Sequence, residues 1–139
     1  MKRMLFGVVV ATVLAATSLA AAPSKTDPST IILNAPAGLA APATGWEPRL
    51  GDTVTFTVTY PKTLDHYGVR IQVLCYQDGN LVFGMAGPYD YQFLLGGSMS
   101  QWYMGDGAAE CHADLYYWSN SGGQKFNLLT STTFNALGR

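Results

Sequence analysis

Val69-Arg70-Ile71-Gln72-Val73-Leu74-Cys75 alternates apolar and polar residues, and Cys111-His112-Ala113-Asp114-Leu115-Tyr116-Tyr117 does so again further along. Period-2 alternation marks strands with one buried and one wet face, the habit of antiparallel sheets. Each stretch sets one of the chain's two cysteines on its apolar side. Outward from the first stretch, a strand over residues 67–77 and another over 80–86 flank Asp78-Gly79, a dipeptide that accepts the positive φ angles of a two-residue type I′ hairpin. Pairing Gln77 with Asn80, Cys75 with Val82 and Val73 with Gly84 turns Val69, Ile71, Val73, Cys75 and Val82 inward. Arg70, Gln72, Leu74, Tyr76, Leu81, Phe83 and Met85 then face the other way.

Outward from the second stretch, a strand over residues 109–118 points Ala109, Cys111, Ala113, Leu115 and Tyr117 inward and Glu110, His112, Asp114, Tyr116 and Trp118 outward. The strand over 125–136 turns Phe126, Leu128 and Phe134 inward and Leu129 outward. Earlier, residues 53–60 alternate without error, with Val54, Phe56, Val58 and Tyr60 against four threonines. Shorter strands are expected at residues 31–33 and 91–95, and the Ala, Pro and Gly between 35 and 46 read as a loop. No helical periodicity follows the N-terminal apolar run. Seven short strands with turn signals at this spacing predict an all-β fold, a β-sandwich.

The N-terminus reads as an export signal over residues 1–20: Lys2 and Arg3 open it, an apolar run follows, and Ser18-Leu19-Ala20 offers small residues for cleavage. A retained anchor is the alternative, because the run approaches the length that crosses a bilayer. Residues 21–29 form a tether and 30–138 the domain. Cleavage removes two of the eight basic residues and none of the nine acids, which leaves six against nine, a formal charge of −3. The remaining cations are scattered singly, so a nucleic-acid surface is not expected. No membrane span is expected after cleavage.

Ala109-Glu110-Cys111-His112-Ala113, after the Asp106-Gly107 turn, resembles the sixth strand of an immunoglobulin-like domain, and the Thr-rich stretch at 53–60 resembles the second. The likeness spans most of residues 29–138 and implies an immunoglobulin-like β-sandwich. Small exported bacterial and phage proteins of uncharacterised function are similar as a whole, which implies no activity. Cys75 stands where an antibody domain carries tryptophan, Ala109 where it carries the corner tyrosine, and the second strand has no cysteine. In the implied topology the third and sixth strands are antiparallel neighbours, which would join Cys75 to Cys111 within one sheet. Directly opposed, non-hydrogen-bonded residues lie about 4.5 Å apart at Cα, within disulfide reach. Export favours the bond over two free thiols.

Side by side, the strands at 80–86, 67–77, 109–118 and 125–136 gather an aromatic-rich outer face. Arg70, Leu74, Tyr76, Phe83, His112, Asp114, Tyr116 and Trp118 are its candidate binding residues. Exposed apolar patches of this kind mark interfaces, and Tyr and Trp anchor them. The alternative is internal cover by the 35–46 loop or by the segment around Trp102. Tyr76, Trp102, Tyr116 and Trp118 are also plausible platforms for sugar rings, although Leu74, Phe83 and Met85 suit a protein partner better. His112, Asp114 and Glu110 share a face, but a nucleophile beside them is missing, so no catalytic residue is assigned and the chain is not read as an enzyme. His66 and His112 with scattered acids do not make a metal set, and no cofactor is expected. The sequence thus predicts a secreted, extracellular recognition or adhesion module for a protein or glycan. A self-associating surface or virion coat subunit, and hence a homo-oligomer, is the alternative.

Overall fold

Among the described residues eight strands follow one another, all paired antiparallel: β1 (Thr30–Leu33), β2 (Thr53–Val54), β3 (Phe56–Thr59), β4 (Arg70–Gln77), β5 (Asn80–Pro88), β6 (Phe93–Leu94), β7 (Ala109–Ser119) and β8 (Lys125–Ala136). The structure, a computed structural model, describes residues 28–36, 46–120 and 122–139. The expected export signal, all of the tether except Pro28 and Ser29, and residues 37–45 of the expected loop lie outside the described residues. The chain is mostly β. Strands β5-β4-β7-β8 make a four-stranded sheet in the order expected from the sequence, while β1 pairs with β3 and β2 with β6.

Alternation places the core. Ile71, Val73 and Cys75 of β4 and Cys111, Ala113 and Leu115 of β7 are fully buried. They join Ile31, Val54, Phe56 and Phe93 from the two smaller ladders in one cluster. Each fully buried aliphatic or aromatic side chain contributes roughly 1.5–3 kcal/mol. Between β4 and β7 the register sets Cys75 directly opposite Cys111, and the two are disulfide-bonded with Cα atoms 4.0 Å apart. This is the close spacing of a non-hydrogen-bonded pair.

The long strand expected over residues 53–60 is divided. β2 pairs with β6 and β3 with β1, and Thr55 stands at the change of partner. Asn34 serves the freed groups there: its backbone N–H donates to the Thr55 carbonyl at 3.0 Å and its side chain donates to Thr55 Oγ1 at 3.1 Å. The inward set still holds, with Val54 and Phe56 buried and Val58 and Tyr60 half-buried.

Two helical segments were not foreseen. A 3-10 turn, Lys62–Tyr67, takes Tyr67 out of the strand expected there and ends on Gly68 at φ 67. Helix α1 (Gln101–Gly105) is one turn long, opened by Ser100, whose hydroxyl accepts from the Tyr103 amide at 3.0 Å. It carries Trp102 into the core, where the ring is fully buried and its indole N–H donates to the Gly107 carbonyl at 2.7 Å. Trp102 is therefore no platform for a ligand. One turn is too short to show a 3.6-residue period.

Two β-bulges correct the sequence register. The Asp78-Gly79 hairpin forms with both residues at positive φ, and Gln77 pairs with Asn80 as expected. Beyond Tyr76 and Leu81, however, Cys75 faces Phe83 and Val82 is the extra residue. A one-residue slip exchanges the faces of every later side chain. Phe83 therefore points inward against Trp102, ring centroids 6.5 Å apart, and Met85 follows it toward the core. The larger rings bury more apolar area this way. On β8, Tyr116 faces Leu128 but Leu115 faces Thr130, so Leu129 is the extra residue. Leu129 packs on the core, and Phe126 and Leu128, expected inside, stand outside.

The disulfide closes a loop of sequence separation 36, for which the chain-entropy model expects about 4 kcal/mol of stabilisation. Denaturant melts of a Cys75→Ala/Cys111→Ala variant should show a loss of that order. A loss below about 1 kcal/mol would mean that the reduced chain is already constrained at this crossing.

Candidate functional site

The outer face of the four-stranded sheet is best described row by row across the strands. Trp118 lies opposite Phe126; the next row holds Pro88, Arg70, Tyr116 and Leu128. Ala86, Gln72, Asp114 and Ser131 follow, then Gly84, Leu74, His112 and Thr133, and last Leu81, Tyr76, Glu110 and Asn135. One end is thus aromatic and apolar, and the remainder is mostly polar.

At the aromatic end Tyr116 is the floor. It stacks on Phe126 with centroids 4.8 Å apart and meets Trp118 edge-on at 6.4 Å. Trp118 stands nearly perpendicular to Phe126 at 5.5 Å, so the two outer rings form a corner. Tyr116 retains only 4% of its exposure, whereas Trp118 and Phe126 each keep 41% and Leu128 keeps 53%. The bulge at Leu129 creates this corner by turning Phe126 and Leu128 out beside Trp118.

At the other end the sheet floor becomes an open groove of about 970 Å³, walled by the Asp78-Gly79 turn and by Asp106-Gly107-Ala108. Leu74, Tyr76, Glu110, His112, Asp114 and Asn135 supply its floor. Tyr76 meets His112 edge-on at 5.7 Å, and His112 Nε2 lies 3.7 Å from Glu110 Oε1. Leu74 leans over Gly84, whose missing side chain makes the room: a Cβ there would sit 3.1 Å from Leu74 Cδ2. Gln77 fastens the wall by donating from Nε2 to the carbonyls of Asp106 at 2.7 Å and Ala108 at 3.1 Å.

Asp106 anchors that wall to the C-terminal segment. Its carboxylate accepts from the Arg139 amide at 2.8 Å, and the Arg139 guanidinium sits over the Tyr103 ring. The backbone amides of Arg139 and Gly107 hold the Asp106 carboxyl below the usual carboxylate range, with the Arg139 charge adding to the effect. Among the described residues no group of three or more His, Cys, Asp or Glu is placed to hold a metal ion. No described helix is long and apolar enough to cross a membrane.

Of the residues singled out from the sequence, Arg70, Leu74, Tyr76, His112, Asp114, Tyr116 and Trp118 occupy the outer face, divided between the two ends. Phe83 does not: it is a core residue. Phe126, Leu128 and the groove walls at Asp78 and Asp106 were missed. The doublet Leu128-Leu129 and the triplet Leu81-Val82-Phe83 interrupt the alternation and were the readable signs of bulges. The carboxylates opposite one another across loops carried no local sign. Ser131 and Thr133 face outward opposite Asp114 and His112, so hydroxyls stand on the neighbouring strand where the sequence suggested that none lay beside these residues.

Two outcomes are expected. Tyr116→Ser should cost about 3–5 kcal/mol, as truncating a buried ring does, while Trp118→Ser should cost roughly 1 kcal/mol or less; denaturant melts of the single variants check the difference. Because the folded Asp106 carboxyl is lowered, its anchoring of Arg139 is whole above the usual carboxylate value of about pH 4 and lost as pH falls through the lowered one. The Gly107 amide resonance, whose N–H also holds this carboxylate, should titrate below about pH 4, and in Asp106→Asn that titration should vanish.

No family model matches this chain, and neither a curated protein nor a solved structure matches it. The chemistry of its outer face is accordingly the ground on which a function is read.

Proposed function

We propose that the chain is an exported recognition or adhesion module, built as an immunoglobulin-like β-sandwich, that holds its partner on the outer face of the β5-β4-β7-β8 sheet. The observation that carries this reading is the ring corner of Trp118 and Phe126, held half-exposed over a buried Tyr116. An antiparallel sheet that faces water is ordinarily polar on that side. Rings fixed by packing against one another lose little freedom when a partner arrives, which favours them as anchors. The Cys75–Cys111 disulfide supports an oxidising, extracellular setting. The strand order, with β4 and β7 adjacent and bridged, supports the immunoglobulin-like assignment. His112 lies beside Glu110 and the Tyr76 ring, an arrangement that suits contact better than catalysis.

Retention of the full chain on immobilised bacterial and yeast cell surfaces tests the reading. The wild type should be retained and Trp118→Ser/Phe126→Ser released, with circular dichroism showing both folded. Light scattering after size exclusion separates the coat-subunit alternative. A monomer fits a recognition module, whereas an oligomer that dissolves on Trp118→Ser/Phe126→Ser would assign the corner to self-association.

A further inference from the structure

Resting on that reading, we infer that the partner is an uncharged oligosaccharide laid along β7, one sugar ring against the Trp118–Phe126 corner and its neighbours' hydroxyls on Asp114, His112 and Glu110. The outer face changes character along one strand. Trp118 and Tyr116 are followed by Asp114, His112 and Glu110, each pointing to the same side. A pyranose matches that gradient within one molecule, because its ring presents an apolar C–H face and a rim of hydroxyls. Carboxylates accept from hydroxyls, while imidazole and the Asn135 amide both donate and accept.

Charge narrows the sugar class. The groove is lined by Asp78, Asp106, Glu110 and Asp114 with no Lys or Arg among its lining residues. Arg70 lies across from Tyr116, at the aromatic end, and Arg139 is engaged by Asp106. Sulfated or uronic-acid chains would meet like charge without compensation.

Extent narrows it further. Trp118 lies four positions along the strand from Asp114, about 13 Å. A monosaccharide on the ring corner does not reach the polar row, and a chain of sugars does. The groove is an open trough, not an enclosed cavity, which suits a polymer passing through. A protein partner is less well matched. The apolar residues that would have extended the patch across β5, Phe83 and Met85, point to the core, and Gln72, Asp114 and Ser131 interrupt what remains.

The test uses the retention assay on cell surfaces, with wells treated beforehand by a mixture of glucanase, mannanase and chitinase, or by protease. The glycosidases should abolish retention of the wild-type chain and protease should leave it. Uncharged oligomers from β-glucan, mannan and chitin are then added as competitors beside their monosaccharides and heparin. At least one oligomer should compete, better than its monosaccharide, and heparin should not. Trp118→Ser and Asp114→Ala should each weaken that competition by about tenfold or more, and Asp114→Ala provides a second reading should Trp118→Ser disturb the fold. Retention that protease removes and the glycosidases spare, competition by heparin, or failure of every uncharged oligomer overturns the sugar assignment while the recognition face stands. Absence of retention, or retention unchanged by Trp118→Ser/Phe126→Ser, overturns both.

Discussion

Cys75 and Cys111 lie directly across from each other in the middle of the sheet, and the β4–β7 crossing they lock governs everything around them. Once that register holds, Ile71, Val73, Ala113 and Leu115 all point to the buried side. The opposite residues, Arg70 to Tyr76 and Glu110 to Trp118 in alternation, form one outer face. A slip by one residue would exchange the two sets. The covalent link between opposed residues forbids that slip, and the hairpin at Asp78-Gly79 and the long pairing of β7 with β8 extend the same frame to both edges.

The edges do not copy the frame unchanged. On β5 and on β8 one extra residue is accommodated as a bulge, and in both places the outcome follows the demand for apolar burial. At Val82 the bulge brings Phe83 and Met85 onto the core and against Trp102. At Leu129 it lets that leucine fill the core and releases Phe126 and Leu128 to the outside. The same device therefore removes apolar residues from one edge of the outer face and adds them to the other. The aromatic corner is concentrated at the β7–β8 end, and the β5 side is left with Leu81, Gly84 and Ala86.

The groove at the opposite end depends on a separate assembly. Trp102 seats α1 in the core and binds Gly107 by its indole N–H, Gln77 ties the Asp106–Ala108 segment to β4, and Asp106 receives the Arg139 amide. Gly138 passes close to Gly107, where a Cβ would lie 2.9 Å from the Gly107 nitrogen. The wall is held by buried packing on one side and by a charge-assisted backbone contact on the other. Only the latter responds to acid.

Alternation and turn chemistry were sufficient to read the mostly β character, the type I′ hairpin and the inner residues of β4 and β7 from the sequence, because these follow from a local period of two and a two-residue loop; the four-strand order came from the immunoglobulin-like resemblance. The pairing of the two cysteines was implied by the same resemblance, which made the two strands neighbours. What the chain's own pattern did not decide was the facing of residues beyond a bulge, since Phe83 and Phe126 choose sides by competition for volume in a shared core. Trp102 belongs to the same class, as one helical turn has no period to read and its burial is set by Phe83 and Gly107. The gathering of Asp78, Asp106 and Glu110 around one groove also required the tertiary structure, because their approach is produced by strand pairing across long stretches of chain and leaves no trace in local spacing.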